Sequence, residues 1–171
     1  TTAHELHVAL GLSPVAHGTL TKLDLSKVKQ ASGVVDVVTF HDVPGHTDIG
    51  PVFPGDPIFV DQDISYAGQC LFAVAATNFQ AARRAVKLAV VTIDEQPASL
   101  DPVSAAEREE FVRPTHVQSR GDWQQTLDLA GHIVEGQLFI GGQEHFYLEG
   151  QACVVHPTED EGVIVHTSNQ H

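Results

Sequence analysis

The sequence GGQEHFYLE, residues 141–149, is the most informative stretch of this chain. Apolar residues alternate on both sides of it and predict strands over residues 132–140, 151–156 and 162–168. The pair Gly141-Gly142 interrupts this pattern, and such a pair lets the backbone approach a neighbour closely or adopt positive φ. From these residues alone we expect a glycine bulge between strands, with its polar side chains facing solvent.

Upstream, residues 70–95 predict a strand, a helix and a second strand in succession. The apolar run 70–76 is typical of a buried strand. Asn78 is a natural N-cap for a helix that reaches residue 88, and residues 88–95 return to a strand pattern. This succession predicts a compact α/β unit. Its helix should be packed through an apolar stripe at Ala81, Ala82, Ala85, Val86 and Ala89, with Arg83, Arg84 and Lys87 on the solvent side.

The first sixty residues predict further strands and one short helix. Strands are expected over residues 5–12, 19–25 and 33–40, the last of these being rich in β-branched residues. Ser26 is the expected N-cap of a helix over residues 26–31, and Gly33 its stop. Residues 44–63 are rich in glycine, proline and aspartate, which predicts a long solvated acidic loop. Their spacing does not follow a calcium-binding pattern.

The region after residue 98 predicts a linker. Asp101 can cap a short helix that ends at residue 110, and residues 122–127 predict one helical turn with Trp123 packed against a core. The two cysteines, Cys70 and Cys153, lie in apolar strand-like runs. We therefore expect buried, reduced thiols rather than a disulfide framework.

Composition restricts the class of partner. The 171 residues are 42% hydrophobic and carry a net charge of −13. Nucleic acid and anionic membrane surfaces attract basic patches, so neither is an expected partner. The sequence contains neither an apolar run long enough for a membrane span nor a secretory signal, and we expect a cytoplasmic protein. The absence of methionine, even at position 1, suggests numbering that begins inside a longer chain or after processing.

Several segments together resemble one enzyme family. GGQEHFYLE is similar to the start of the molybdenum-binding part of the xanthine dehydrogenase and aldehyde oxidase family, the molybdenum hydroxylases. SGVVDVVTFHDVPG (32–45), SYAGQ (65–69) and NFQAARRAVKLAVVTIDEQPA (78–98) resemble the α/β hammerhead domain that precedes it. One departure is Val15, where relatives often carry histidine, which weakens any role for that loop.

This resemblance implies the fold class and the domains. The fold is expected to be α/β (α+β), with an α/β hammerhead domain over residues 1–97. A linker over residues 98–122 follows, and residues 123–171 form the first β-strands of the molybdopterin-binding domain.

The resemblance also implies a function. A molybdenum–molybdopterin enzyme of the xanthine dehydrogenase type hydroxylates a purine and passes electrons to FAD and 2Fe-2S groups on other domains or subunits. Family members are oligomeric. The family's motif glutamine falls on Gln143, whose amide would face an oxo ligand of the molybdenum centre. The family's catalytic glutamate and remaining cofactor segments lie beyond residue 171, so no catalytic residue and no direct metal ligand is expected in this chain. The chain alone is expected to be inactive and free of molybdenum.

Other chemistries lack their motifs. The sequence contains no phosphate loop, dinucleotide fingerprint, HExxH, paired CxxC or nucleophile elbow, and no histidines at the spacing of a protein-ligated metal. Within the family, the alternative is an aldehyde or N-heterocycle oxidase. Outside it, the alternative is a non-enzymatic α/β binding module in which GGQEHFYLE is only a bulged strand.

Overall fold

The computed structural model describes residues 4–169, which divide into two compact units with a boundary between Thr115 and His116. The first unit contains six strands: β1 (His7–Leu12), β2 (Gly18–Asp24), β3 (Val34–Thr39), β4 (Asp63–Ile64), β5 (Cys70–Ala76) and β6 (Val90–Glu95). Its helices are α1 (Ser26–Lys29), α2 (Phe79–Val86) and α3 (Pro102–Glu107), with a 3₁₀ turn at Phe40–Asp42. The mixed α/β architecture expected from the sequence is confirmed.

The strands of the first unit form two antiparallel three-stranded sheets. One sheet has the order β1-β5-β3 and the other β4-β2-β6. β5 lies at the centre of its sheet, and its apolar run places Val74 in full burial and Phe72 at 2% exposure. Leu71 and Ala76 of the same strand are buried as well, so the prediction of a buried strand at residues 70–76 is confirmed.

Helix α2 packs through its small apolar residues. The Asn78 side chain accepts a hydrogen bond from the backbone N–H of Ala81 at 2.9 Å, so the predicted N-cap is present. Ala82 is fully buried in a cluster with Ala9 and Ala76 of the first sheet, and Val86 packs against the same cluster. The predicted helical stripe is therefore confirmed. Alanine on helix and strand lets the two backbones come close together.

The strand–helix–strand succession does not form one sheet. β5 and β6 flank α2 in sequence, yet they belong to different sheets. β6 pairs with β2, in antiparallel register from Gly18–Glu95 to Asp24–Val90. The predicted strand, helix and strand are all present. Their assignment to two sheets depends on pairing with strands far away in the sequence, which local periodicity does not show.

Helix α1 lacks the side-chain cap expected at Ser26, because its N-cap residue is Leu25, whose side chain makes no capping hydrogen bond. Ser26 is already the first helical residue, and its backbone N–H and Oγ both donate to the Asp24 carboxylate, at 3.0 and 2.7 Å. These two hydrogen bonds lower the pKa of Asp24. Gly33 follows the helix with a φ of 84°, the left-handed conformation expected of a glycine stop.

The long loop between β3 and β4 is organised by one acid. The Asp48 carboxylate accepts backbone hydrogen bonds from Gly50, Gly55 and Asp56 at 2.7–3.2 Å, and these bonds lower its pKa. Towards the end of the loop Val60 is buried in the core. The loop is thus solvent-exposed over most of its length, as predicted, with a turn organised by Asp48 and one end anchored in the core.

The second unit contains one short helix and one hairpin. They are α4 (Trp123–Asp128), β7 (Cys153–Pro157) and β8 (Val163–Thr167), the two strands pairing from Cys153–Thr167 to Pro157–Val163. Asp122 caps α4 by accepting from the backbone N–H of Gln125 at 2.9 Å. The helical turn and both strands of the hairpin were predicted and are confirmed, within one or two residues at each end.

Three predictions in the second unit are wrong. Residues 132–140 form no strand, because in residues 4–169 no segment pairs with them and an unpaired strand leaves its backbone groups unsatisfied. Trp123 is 61% exposed rather than packed against a core. Cys153 is an exposed thiol, since it lies on a hairpin with no covering layer among the described residues, whereas Cys70 is half-buried.

Across residues 4–169, the helices are too short and too polar to cross a lipid bilayer.

Candidate functional site

The segment that carries Gln143 is irregular and open. Residues 141–149 belong to no strand or helix, so the predicted glycine bulge between strands is wrong. The residue in the left-handed region is Phe146, with a φ of 47°, and neither glycine of the pair shares that conformation. A Cβ added at Gly141 or Gly142 would meet nothing within 4 Å. The pair therefore leaves space beside the backbone.

Gln143 presents a free amide. Its side chain is exposed, and no hydrogen bond reaches it from within residues 4–169. An amide offers two N–H donors and one carbonyl acceptor, so this residue can serve either a donor or an acceptor on a bound group. A single exposed amide can contact a cofactor, but it cannot hold one by itself.

One local hydrogen bond shapes the chain directly after Gln143. The Glu144 carboxylate accepts from the backbone N–H of Phe146 at 3.4 Å. This weak contact accompanies the left-handed turn at Phe146, which directs the following residues away from the path of an extended strand. Neighbouring residues of a strand point to opposite faces, but Glu144 and His145 lie in irregular backbone, so that rule does not fix the directions of their side chains.

Displaced pKa values mark structural contacts elsewhere. Hydrogen bonds from the Arg108 guanidinium at 2.8 and 2.9 Å, with a contribution from Ser99, lower the pKa of Glu110 to about 2. Two hydrogen bonds from Ser104 lower the pKa of Asp101, the N-cap residue of α3. The bond from the Ser104 side chain has the larger effect and the bond from its backbone N–H the smaller one. These exposed groups stabilise turns and helix ends. Glu110 also lines a groove beside the linker, but Asp101 does not.

Several open grooves lie on the first unit. One, of about 680 Å³, runs beside β2 and α1 and is lined by charges of both signs, including Lys22, Lys29, Asp24 and Asp61. Another, of about 890 Å³, lies where the end of β6 meets the linker, near Tyr66. Within the described ranges, no group of three or more His, Cys, Asp or Glu side chains is placed to hold a metal ion.

Two family descriptions match this chain in succession. Residues 1–97 match "Aldehyde oxidase and xanthine dehydrogenase, a/b hammerhead domain", which is more than half of the sequence. The chain belongs to the aldehyde oxidase and xanthine dehydrogenase family. Residues 105–171 match "Molybdopterin cofactor-binding domain", so this family member carries cofactor-domain sequence that includes Gln143.

Individual relatives agree with this assignment. Mouse aldehyde oxidase 4 is 33% identical over 168 residues, which cover 97% of this chain and 12% of the relative. Mouse xanthine dehydrogenase/oxidase is 31% identical over 159 residues, covering 93% of this chain and 12% of the relative. The chain therefore spans about an eighth of the length of these relatives.

Solved structures share the fold. The aldehyde oxidoreductase of Desulfovibrio gigas superposes with a TM-score of 0.81 at 25% identity, over 98% of this chain and 20% of that one. Quinoline 2-oxidoreductase of Pseudomonas putida 86 superposes with a TM-score of 0.82 at 21% identity, over 99% of this chain and 24% of that one. At 21% identity the second likeness concerns the fold alone.

Proposed function

We propose that this chain is a hammerhead domain, a linker and the start of a cofactor domain from a molybdenum hydroxylase. The observation that carries the proposal is the succession of two family matches, over residues 1–97 and 105–171, in one chain. The proposed boundaries are 1–97, 98–122 and 123–171. A free-standing binding module would have no reason to carry the second match directly after the first.

Gln143 is the proposed cofactor contact. Its support is an exposed amide without a partner among residues 4–169, beside two glycines that leave the backbone uncovered. The amide would donate a hydrogen bond to the molybdenum–molybdopterin group and orient it. The group, when bound, supplies the oxidative chemistry that hydroxylates a substrate carbon. No side chain of this chain is proposed as the catalytic base or as a direct ligand of the molybdenum.

The remaining machinery is proposed to lie outside this sequence. Because the chain covers 12% of the relatives' lengths, most of the polypeptide of such an enzyme is not represented here. We propose FAD and 2Fe-2S groups on other domains or subunits as electron acceptors, an oligomeric enzyme and a cytoplasmic location. The exposed apolar residues of the second unit would be covered by the rest of the cofactor domain.

The proposed substrate is a purine, as in xanthine dehydrogenase, on the basis of GGQEHFYLE. Aldehyde or N-heterocycle oxidation is the second candidate, and a specific observation favours it: aldehyde oxidases from mouse, macaque, rat and a nematode match at 32–34% identity. Xanthine dehydrogenases match at 31%. To decide between the two candidates, the full-length enzyme should be assayed with hypoxanthine, an aromatic aldehyde and quinoline. If the enzyme turns over the aldehyde but not hypoxanthine, purine is rejected as the substrate.

The test of Gln143 uses the full-length enzyme. Gln143→Ala should lower kcat by about 10²-fold or more with a smaller change in KM, because a donor that acts on developing charge stabilises the transition state more than the ground state. Gln143→Glu should lower it further, since a carboxylate has no N–H to donate. Molybdenum content and the folding transition of each variant are measured first. Wild-type turnover in Gln143→Ala at full molybdenum occupancy would contradict the assignment.

A second test concerns the chain by itself. One amide contact leaves too little affinity to retain a cofactor, since most contacts would come from segments absent here. The purified 171-residue chain should therefore contain molybdenum far below one atom per chain and should hydroxylate neither substrate class. Near-stoichiometric molybdenum by elemental analysis would overturn this expectation.

A further inference from the structure

The hairpin β7–β8 carries two histidines on one face. The register pairs Val154 with His166 and His156 with Ile164, so the two histidines are diagonal neighbours across the ladder. Alternate residues of a strand share a face, which places His156 on the side of Val154 and therefore of His166. Their rings are in contact, with centroids 5.7 Å apart and planes at 76°.

This separation fits one shared cation. With metal–nitrogen bonds of about 2.0–2.1 Å and tetrahedral angles, the centres of two imidazoles on one zinc ion lie about 5.3 Å apart. The observed 5.7 Å differs from that value by only a few tenths of an ångström. Rotation about χ2, which is a broad torsion for histidine, can turn one nitrogen of each ring towards a common point without moving the strands.

The ring nitrogens are available. Apart from their mutual contact, neither His156 nor His166 has a hydrogen-bond partner among residues 4–169, so no tautomer is imposed on either ring. His166 is exposed and His156 half-buried. The turn that closes the hairpin holds three consecutive acids, and the whole chain carries a charge of −13. Both features favour approach of a cation over an anion.

We propose that His156 and His166 form an open two-ligand site for a divalent cation of the zinc class. Two imidazoles suit zinc, nickel and copper better than magnesium or calcium, which prefer oxygen. Within the described part of the chain no third protein ligand joins them. Water or a group from another molecule completes the coordination shell. Binding links the two strands across the ladder and stabilises the hairpin.

The experiment titrates the 171-residue chain with zinc chloride at pH 7.5 while histidine side-chain nitrogens are followed by NMR. His156 and His166 should shift together and saturate at one zinc ion per chain. His156→Ala and His166→Ala should each lower the apparent affinity at least tenfold, because one imidazole alone is a weak ligand. His132→Ala, an exposed histidine of the same unit, is the matched control and should bind as the unchanged chain does.

Folding of each variant is checked through the amide signals of β7 and β8 before zinc is added. If a variant loses these signals, His156→Gln and His166→Gln replace it, since glutamine retains a long polar side chain without the imidazole. Unchanged affinity in either folded single variant would overturn the proposal. So would independent, non-saturating shifts of the histidines, which would indicate only scattered single-ligand binding.

Discussion

The two units use apolar residues in opposite ways. In the first unit, β5 and α2 bury theirs, so that Val74 and Ala82 have no exposed surface. In the second unit, residues of the same type lie in solvent, and Val134 is 98% exposed. The difference lies in pairing. Residues 7–95 contain partners for their own strands, whereas residues 116–169 of the second unit form a single hairpin. Hydrophobic sequence forms a core only where other elements of the chain can cover it.

The largest expected effect compares two phenylalanines. Phe72→Ala should lower the free energy of unfolding by about 3–5 kcal/mol, because removal of the buried ring leaves a cavity in the core of the first unit. Phe139→Ala, in the exposed segment of the second unit, should change it by about 0.5 kcal/mol or less. Urea unfolding of both variants measures the difference. Equal losses would show that the second unit has a core of its own.

A smaller effect compares two glycines. A Cβ at Gly11 would lie 2.1 Å from the Phe72 ring, which is buried and must move to make room. Gly11→Ala should therefore destabilise the chain by about 1–3 kcal/mol. At Gly136 a Cβ meets nothing within 4 Å, so Gly136→Ala should be neutral or slightly stabilising. Thermal unfolding of the two variants measures their stabilities. An unchanged stability of Gly11→Ala would mean that β1 and β5 are less closely packed than in this structure.

Acid should loosen one loop of the first unit locally. Three backbone hydrogen bonds hold the pKa of Asp48 below its ordinary value of 3.8. A lowered pKa means that the contribution of the carboxylate is complete above 3.8 and is lost as the pH falls through the lower value. The amide protons of Gly50, Gly55 and Asp56 should therefore become less protected only below about pH 4.

Two substitutions of aspartate by asparagine form a matched pair of variants for this loop. Asp48→Asn should speed exchange of these three amides at neutral pH, because an amide group presents one acceptor oxygen in place of two. Asp61→Asn, in the same loop, should leave them unchanged. Amide exchange measured by NMR tests both variants. Equal effects of the two substitutions would show that the Asp48 carboxylate does not organise the loop.

The last comparison concerns the reactivity of the two thiols, one in each unit. It has the smallest effect on the fold. Burial raises the pKa of Cys70, whereas Cys153 is exposed on the hairpin. A thiol with a raised pKa forms less thiolate, so iodoacetamide should modify Cys153 on the order of tenfold faster than Cys70. Peptide mass analysis after partial alkylation measures the ratio. Faster modification of Cys70 would indicate opening of β5.

Local features could be predicted from the sequence because their causes are local. The Asn78 and Asp101 caps depend on a side chain and a backbone N–H three residues away, and both are present. The apolar run of β5 and the stripe of α2 are periodicities within one element, and both were predicted. At the candidate site, the resemblance of GGQEHFYLE to the family predicted Gln143 as the cofactor contact. The histidine pair was not predicted from the sequence. His156 and His166 are ten residues apart, and only the hairpin register brings their rings together.

The sequence by itself determined family membership, the helix caps at Asn78 and Asp101, and the charge that disfavours nucleic acid as a partner. Tertiary structure alone decided that β5 and β6 enter different sheets, that Trp123 and Cys153 face solvent, and that residues 132–140 pair with nothing described here. The physical reason is range. Caps and periodicity are settled within a few residues, whereas sheet membership and burial depend on which distant segment supplies the other half of each hydrogen bond and apolar contact.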